Sequence, residues 1–544
     1  MPPTDARPSA GLETLDFVMV GAYLLVTLAI VLWAARRQKN TEDFFLGNRR
    51  LPWLAVGLSI MATLLSSLTY IGLTGEVVKN GIAGFMTQLA VIPASMIVIP
   101  LFIPFFMRLR FTSAYEYLEH RFDYRTRLLG GGLFLLLRFG WVSLVMYTGS
   151  LALAEMTGWN LYWMILVLGL AATLYTCFGG LEGVVWTDVL QALMLFGGAA
   201  AIVIYVWVDT GAGPLAWWRA AGEHSAAHTQ PEWFSFDPTK RMTLGTALIA
   251  GFFWQICTHC SDQVVLQRYA ATSSLAAARN SYITNMIAVL AITSLLVVSG
   301  LALLFFYLRH PQLLPSGVQA VEVGDKLMPH FFANQLPLGF GGLILANFLC
   351  DAMQTLVSGV NSVTAVASED VLEHRSSKAG LAARPDRAMT DEANAQLNRS
   401  RLRTTRVLTF ALGLGTTLIA LGVARLAEES EMNIFDLMPP AFNVFLGPLG
   451  ALFLIGMFQP RVTTRTVLPA IGAALVVSVL WNYDTLLFGK EYDLSVCGAI
   501  AVPCTFGFVF AAVLSLFVEK GDDHPGRQYT WWAVMQRPLP TNDS

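Results

Sequence analysis

Residues 57–76 read GLSIMATLLSSLTYIGLTGE, an apolar run whose middle is interrupted by Ala62, Thr63, Ser66, Ser67 and Thr69, with glycines at 57, 72 and 75. Two structures satisfy such a pattern. Small hydroxyl residues and glycines let membrane helices pack closely. Alternatively the helix is discontinuous, and its freed carbonyls face a cation while its half-helix ends face a solute. A second interrupted segment, MTLGTALIAGFFWQICTHCSDQVVLQRY at 242–269, again follows a glycine with Trp254, Gln255, His259, Asp262 and Gln263. The two segments head successive groups of five candidate spans, 51–208 and 242–456. Irregular segments at matching places in two halves point to an inverted-repeat transporter with a central site.

The surrounding chain agrees with a membrane setting. It has 544 residues, 55% hydrophobic and 13% charged, against ~25% charged for an average soluble domain. A span needs about 20 apolar residues, and thirteen candidates are read: 15–35, 51–75, 83–107, 128–156, 160–178, 184–208, 242–260, 281–307, 338–370, 404–424, 432–456, 464–484 and 496–518. The first is too long for a signal-peptide core and is followed by basic residues, so it is expected to be retained. With the N-terminus outside, most of the 35 basic residues fall in inward loops, as the positive-inside rule asks. The C-terminus is then cytoplasmic.

The expected layout is an outer N-terminus, first span and inner loop at 1–50, and a first repeat at 51–208. An outer loop at 209–241 leads to a second repeat at 242–456 with an inner loop at 376–403. Two further spans occupy 457–518, and a cytoplasmic tail 519–544. No soluble domain of 100 residues or more is present, and no GxxxxGK[ST] phosphate loop appears, which argues against an ATP-driven pump. The six cysteines lie in or beside apolar segments and read as buried small residues. Cys257-Thr-His-Cys260 is followed by no second ligand pair and is not expected to hold zinc.

In LCDAMQTLVSGVNSVTAVASEDV, 349–371, Asp351, Gln354, Thr355, Ser358 and Ser362 share one helix face. An acid at the centre of a span costs ~3 kcal/mol on insertion scales and normally faces a partner or a wet path. An amide and hydroxyls beside it favour an ion ligand or a proton acceptor, since hard cations take oxygen ligands. Pairing with a structural base such as Arg138 is the other reading.

Five stretches carry a family resemblance: GGLEGVVWTDVLQ (179–191), RFTSAYEYLEHRF (110–122), SDQVVLQRY (261–269), SGVNSVTAVASEDV (358–371) and the early EDFFLGNRRLP. The chain resembles the sodium:solute symporter family, and within it the sialic acid and sodium/glucose transporters, from about residue 15 to 518. The resemblance implies an all-α, thirteen-span protein with a LeuT-like core of two inverted five-helix repeats. It implies a main Na⁺ site at the carbonyls of Ala62 and Leu65 with Asp351, Gln354 and Thr355. Asp351 and Gln354 depart from the family's usual small residue and hydroxyl. A second Na⁺ site would match Asp188, Gln354, Val357 and Ser358, with Val357 lacking a hydroxyl.

By the same resemblance, solute contacts match Ser66, Thr69 and Gln88. The arginine that holds a sialic acid carboxylate is replaced by Trp141; either Arg138, one turn earlier, takes over that role, or the solute is uncharged and Trp141 stacks on a sugar ring. Trp254 and His259, on the second interrupted segment, join these as candidate solute contacts. The expected function is sodium-coupled symport of a small organic solute such as a sugar or sugar acid, without enzymatic chemistry. The alternatives are coupling to H⁺ through Asp351, an uncoupled uniporter, or a ligand sensor. The expected partners are the solute and the lipid bilayer, not nucleic acid, and the expected functional unit is a monomer in a cell membrane.

Overall fold

A computed structural model describes residues 14–36, 46–109, 111, 113–314, 317–337, 339–367, 391–430, 437–489, 494–518 and 525–539, without the side chains of 48, 175–180, 350, 351, 354, 365, 367, 391–406 and 429–430. Among the described residues there is no strand, only a single bridge between Leu51 and Thr272. The main helices are α1 (Thr14–Ala35), α2 (Trp53–Leu64), α3 (Ser67–Asn80), α4 (Ile82–Leu109), α5 (Tyr124–Thr157), α6 (Leu161–Thr210), α7 (Leu244–Ser261) and α8 (Gln263–Ala270). They continue as α9 (Leu275–Arg309), α10 (Phe340–Ala367), α11 (Asp391–Ser430), α12 (Pro439–Phe458), α13 (Thr464–Asn482) and α14 (Gly498–Val518).

Both interrupted segments are broken helices. Between α2 and α3 the axis bends by 60°. The ladder's last bond before the break runs from Leu65 N to Met61 O (2.8 Å), and it resumes from Thr69 N to Ser66 O (2.9 Å). Ser and Thr are weak helix formers here, and Ser66 adopts an extended ψ of −179°. Between α7 and α8 the break falls at Asp262, again extended, whose carboxylate accepts the N–H of Val264 and so caps α8. The Leu51–Thr272 bridge ties the start of α2 to the chain just beyond α8.

Among the described residues nine helices are long and apolar enough to cross a membrane, or up to ten when the bent pair α2/α3 is one span. Two boundaries change. The spans read at 160–178 and 184–208 keep helical backbone through the 179–183 gap between them, within α6. Its 50 residues would run ~75 Å if straight, more than twice one ~30 Å crossing, so both spans stand. The glycines in the gap weaken a helix by about 1 kcal/mol each but leave every N–H in place. α11 begins at Asp391, inside the 376–403 stretch read as a loop, because 391–412 contains no proline or glycine before Gly413 and is rich in helix formers. Residues 376–390 of that loop, and 1–13, 37–45, 519–524 and 540–544 of the predicted termini and tail, lie outside the described residues. The described part of the tail packs back, with Trp531 Nε1 donating to Leu101 O (3.1 Å) and Arg108 Nε donating to Arg537 O (3.1 Å).

α7 crosses the start of α4 at Gly251, where a Cβ would stand 2.0 Å from the carbonyl oxygen of Thr87. Gly251→Val is therefore expected to lower stability by about 1–3 kcal/mol or more, read as an earlier thermal unfolding midpoint in detergent.

Candidate functional site: a cavity at two broken helices

The break in the first interrupted helix borders a cavity holding about 1050 Å³ of empty space, part of it open to solvent. Leu64 and Leu65 come from the break, Thr69 from α3, and Thr87 and Gln88 from α4. Trp141 on α5, Trp254 and Gln255 on α7, Asn285 on α9, and Phe442 and Asn443 on α12 complete the inner wall. The rim reaches Met242, Val496 and Cys497. Ser495 Oγ donates to Arg241 O (2.7 Å), so the mouth lies on the face that carries residues 209–243.

No charged side chain lines the cavity among the described residues. Its polarity comes from neutral groups left unpaired. Asn285 is 1% exposed, yet neither atom of its carboxamide has a partner. Trp141 Nε1 and Asn443 Oδ1 are likewise unpartnered. Leaving a buried polar group unmade costs about 1–3 kcal/mol, and an arriving solute or water supplies the missing bonds. The indoles of Trp141 and Trp254 lie 30° from parallel with centroids 6.5 Å apart, and Phe442 meets Trp141 edge-on at 4.7 Å. These faces suit the C–H surface of a ring.

Four of the seven sequence-derived solute residues, Thr69, Gln88, Trp141 and Trp254, meet at this cavity. Ser66 is fully buried at the break with its hydroxyl unpartnered, and it is not a lining residue. Arg138 is not a lining residue either. Its guanidinium pairs with Asp262 at the second break, both side chains 3% exposed, and lies 5.8 Å from the Trp141 ring. His259 points away from the cavity into a buried pair of contacts with Gln255 and Tyr269.

For the cation sites, Ala62 is buried near the end of α2, and Thr355 is buried on α10. The side chains of Asp351 and Gln354 lie outside the described residues. The segment that carries them is level with the break. A Cβ on Gly149 would stand 2.8 Å from Ala352 Cβ and 3.6 Å from Ser67 Oγ. Asp188 and Ser358 are brought together by a residue the sequence reading passed over, Arg268. Its Nη2 donates to Thr63 Oγ1 (2.6 Å), Ser358 Oγ (2.9 Å) and Asp188 Oδ2 (3.1 Å), and its Nε donates to Ser59 Oγ (2.8 Å). A guanidinium thus stands between the two side chains matched to a second cation.

Asn285, Asn443 and Arg268 had sequence signals. Each asparagine is isolated in an apolar run, SYITNMIAVL and PPAFNVFLG, and Arg268 is a charge on the short helix that follows the second break. A lone polar group in a span is a functional candidate by default.

Two helices broken part-way along, in corresponding places, beside a solvent-connected cavity define a membrane transporter of the two-repeat kind and not an enzyme. The family model described as SSF, sodium:solute symporter family, matches residues 44–472. The chain belongs to the sodium:solute symporter family, and its coupling ion is Na⁺. The sodium/sialic acid symporter SiaT of Proteus mirabilis (strain HI4320) is 29% identical, with 90% of this chain and 95% of that one covered. The sodium/iodide cotransporter of Homo sapiens is 30% identical, with 92% of this chain and 74% of that one covered. A solved structure of the substrate-bound outward-open state of a Na⁺-coupled sialic acid symporter superposes with a TM-score of 0.78 at 26% identity, covering 94% of this chain and 99% of that chain.

Proposed function

We propose that this symporter carries an uncharged, sugar-sized solute, and that the cavity beside the α2/α3 break is its binding site. The observation that carries this reading is the lining: stacked indoles and unpaired amide groups, with no charged side chain among the described residues. A sugar ring offers both a C–H face and hydroxyls to such a wall. The relatives' names favour a second reading, a sialic acid. Against it stands the want of a cation for the carboxylate, since Trp141 occupies the expected position and Arg138 is neutralised by Asp262.

Sodium enters this proposal at the carbonyls of Ala62 and Leu65 with Thr355, Asp351 and Gln354. Thr69 and Gln88 contact the solute, and Ser66 helps shape the break. With 209–241 outside and both repeats oriented accordingly, the N-terminus is outside, the C-terminus is cytoplasmic, and the cavity faces outward. A single polypeptide holds the whole site, so a monomer suffices. One Na⁺ falling through 100 mV yields ~2.3 kcal/mol, and a tenfold gradient adds ~1.4 kcal/mol. Together they sustain a solute gradient of roughly several hundredfold.

Sodium-driven uptake into proteoliposomes, with D-glucose, D-galactose, myo-inositol and N-acetylneuraminate as probes, tests the reading. Uptake of a neutral probe supports it, and uptake of N-acetylneuraminate alone overturns it. On the transported probe, Asn285→Leu is expected to raise KM about tenfold, the worth of roughly one hydrogen bond. Asp351→Asn is expected to shift the sodium concentration for half-maximal uptake upward by about tenfold or more, the loss of a charged ligand. Unchanged sodium dependence would remove Asp351 from the cation site.

A further inference from the structure

Gln255 lines the cavity, but its carboxamide is engaged on the other side by His259, one turn further along α7, with Oε1 3.0 Å from Nε2. The other ring nitrogen, Nδ1, lies 2.7 Å from the hydroxyl of Tyr269 on α8. All three side chains are buried, His259 completely.

Proton order follows from counting donors. Among the described residues the Tyr269 hydroxyl has no other partner, so its buried proton goes to Nδ1. A neutral imidazole that accepts at Nδ1 carries its own proton on Nε2. Nε2 then donates to Gln255, which fixes the carboxamide oxygen toward His259. The NH₂ end is left for the cavity.

We propose that His259 is a positioning residue. With Tyr269 it forms a proton-ordered relay that presents Gln255 to the solute as a donor and never as an acceptor. The site therefore selects a solute with an acceptor oxygen at that point, a hydroxyl, ether or carbonyl. Gln255 and His259 stand on α7, and Tyr269 stands on α8 beyond the break at Asp262. The amide is held only while the two half-helices keep this angle, so a tilt of α8 releases the donor together with the solute. The inference rests on the cavity being the solute site, whatever the solute's charge.

The full-length protein labelled with ¹⁵N-histidine and reconstituted in lipid tests the relay by solid-state NMR, without any solute. His259, assigned by the signal lost in His259→Gln, is expected as the Nε2–H tautomer, with a tautomer mixture in Tyr269→Phe. An Nδ1–H tautomer in the unaltered protein overturns the proposal. The second arm is sodium-driven uptake of D-galactose and of N-acetylneuraminate. On the probe transported, Tyr269→Phe is expected to raise KM about tenfold with kcat changed less than about twofold, and to add nothing in a Gln255→Leu background. Independent, additive effects overturn the relay. Uptake of N-acetylneuraminate but not galactose defeats the uncharged-solute reading while still testing the relay, and if neither is taken up the tautomer decides.

Discussion

Asp188→Ala is expected to destabilise the protein by about 3–5 kcal/mol, the usual cost of stranding a buried charge, and to abolish sodium-driven uptake. Arg268 is 1% exposed and Asp188 2% exposed, 3.1 Å apart, and α8, α6, α2 and α10 all converge on this guanidinium through Asp188, Ser59, Thr63 and Ser358. Removing the carboxylate leaves a positive charge with only neutral acceptors in a water-poor interior. Replacing both partners with apolar groups of similar volume avoids that penalty. Asp188→Ala with Arg268→Met should therefore recover much of the thermal stability lost by the single change, measured as the unfolding midpoint in detergent. A double variant no more stable than the single one would show that the pair is not the origin of the loss. The same pairing bears on coupling. Asp188 and Ser358 both serve Arg268, so uptake is expected to rise hyperbolically with sodium, one ion per solute, and a sigmoidal rise would show a second ion.

Arg138→Met is the second strong case. The Arg138–Asp262 pair, both side chains 3% exposed, joins α5 to the hinge of the second broken helix. The cavity opens on the 209–243 face, and the Arg138 guanidinium lies 5.8 Å from the Trp141 ring in its wall. Further contacts close the same region, Tyr115 Oη donating to Ser261 O (2.9 Å) and Ala114 N donating to Gln263 Oε1 (2.7 Å). Arg138→Met leaves Asp262 buried and unpaired, again worth about 3–5 kcal/mol, and releases the α7/α8 hinge. The expected outcome is a loss of concentrative uptake of more than about tenfold. Labelling of a cysteine placed on α8 should also increase from the opposite face. Arg138→Met with Asp262→Asn should restore most of the stability but not the concentrative uptake. Uptake that persists in Arg138→Met would show that the pair is structural only.

Much of the architecture could be read along the chain. The two breaks are local events, written in runs of weak helix formers and in a capping aspartate. Thr69, Gln88 and Trp141 were named from the family resemblance and Trp254 from its place on the second interrupted segment, and all four line the cavity. The loop read at 376–403 misled over 391–403, because polar residues such as Glu, Gln and Arg are good helix formers.

Residue types and their periodicity were enough to show a membrane protein and its two irregular helices, since apolar length and helix breaking act over a few neighbouring residues, and the family was carried by resemblance of its motifs. They were silent on which charge neutralises which. Arg138 finds Asp262 across 124 residues, and Arg268 finds Asp188 across 80 and Ser358 across 90. Helical spacing states which face a side chain occupies but not what the fold sets opposite it. Desolvation makes that opposite group decisive, because a buried ion is tolerable only with its partner in place. Packing alone therefore set Arg138 against Asp262, His259 between Gln255 and Tyr269, and Asn285 in the wall of the cavity.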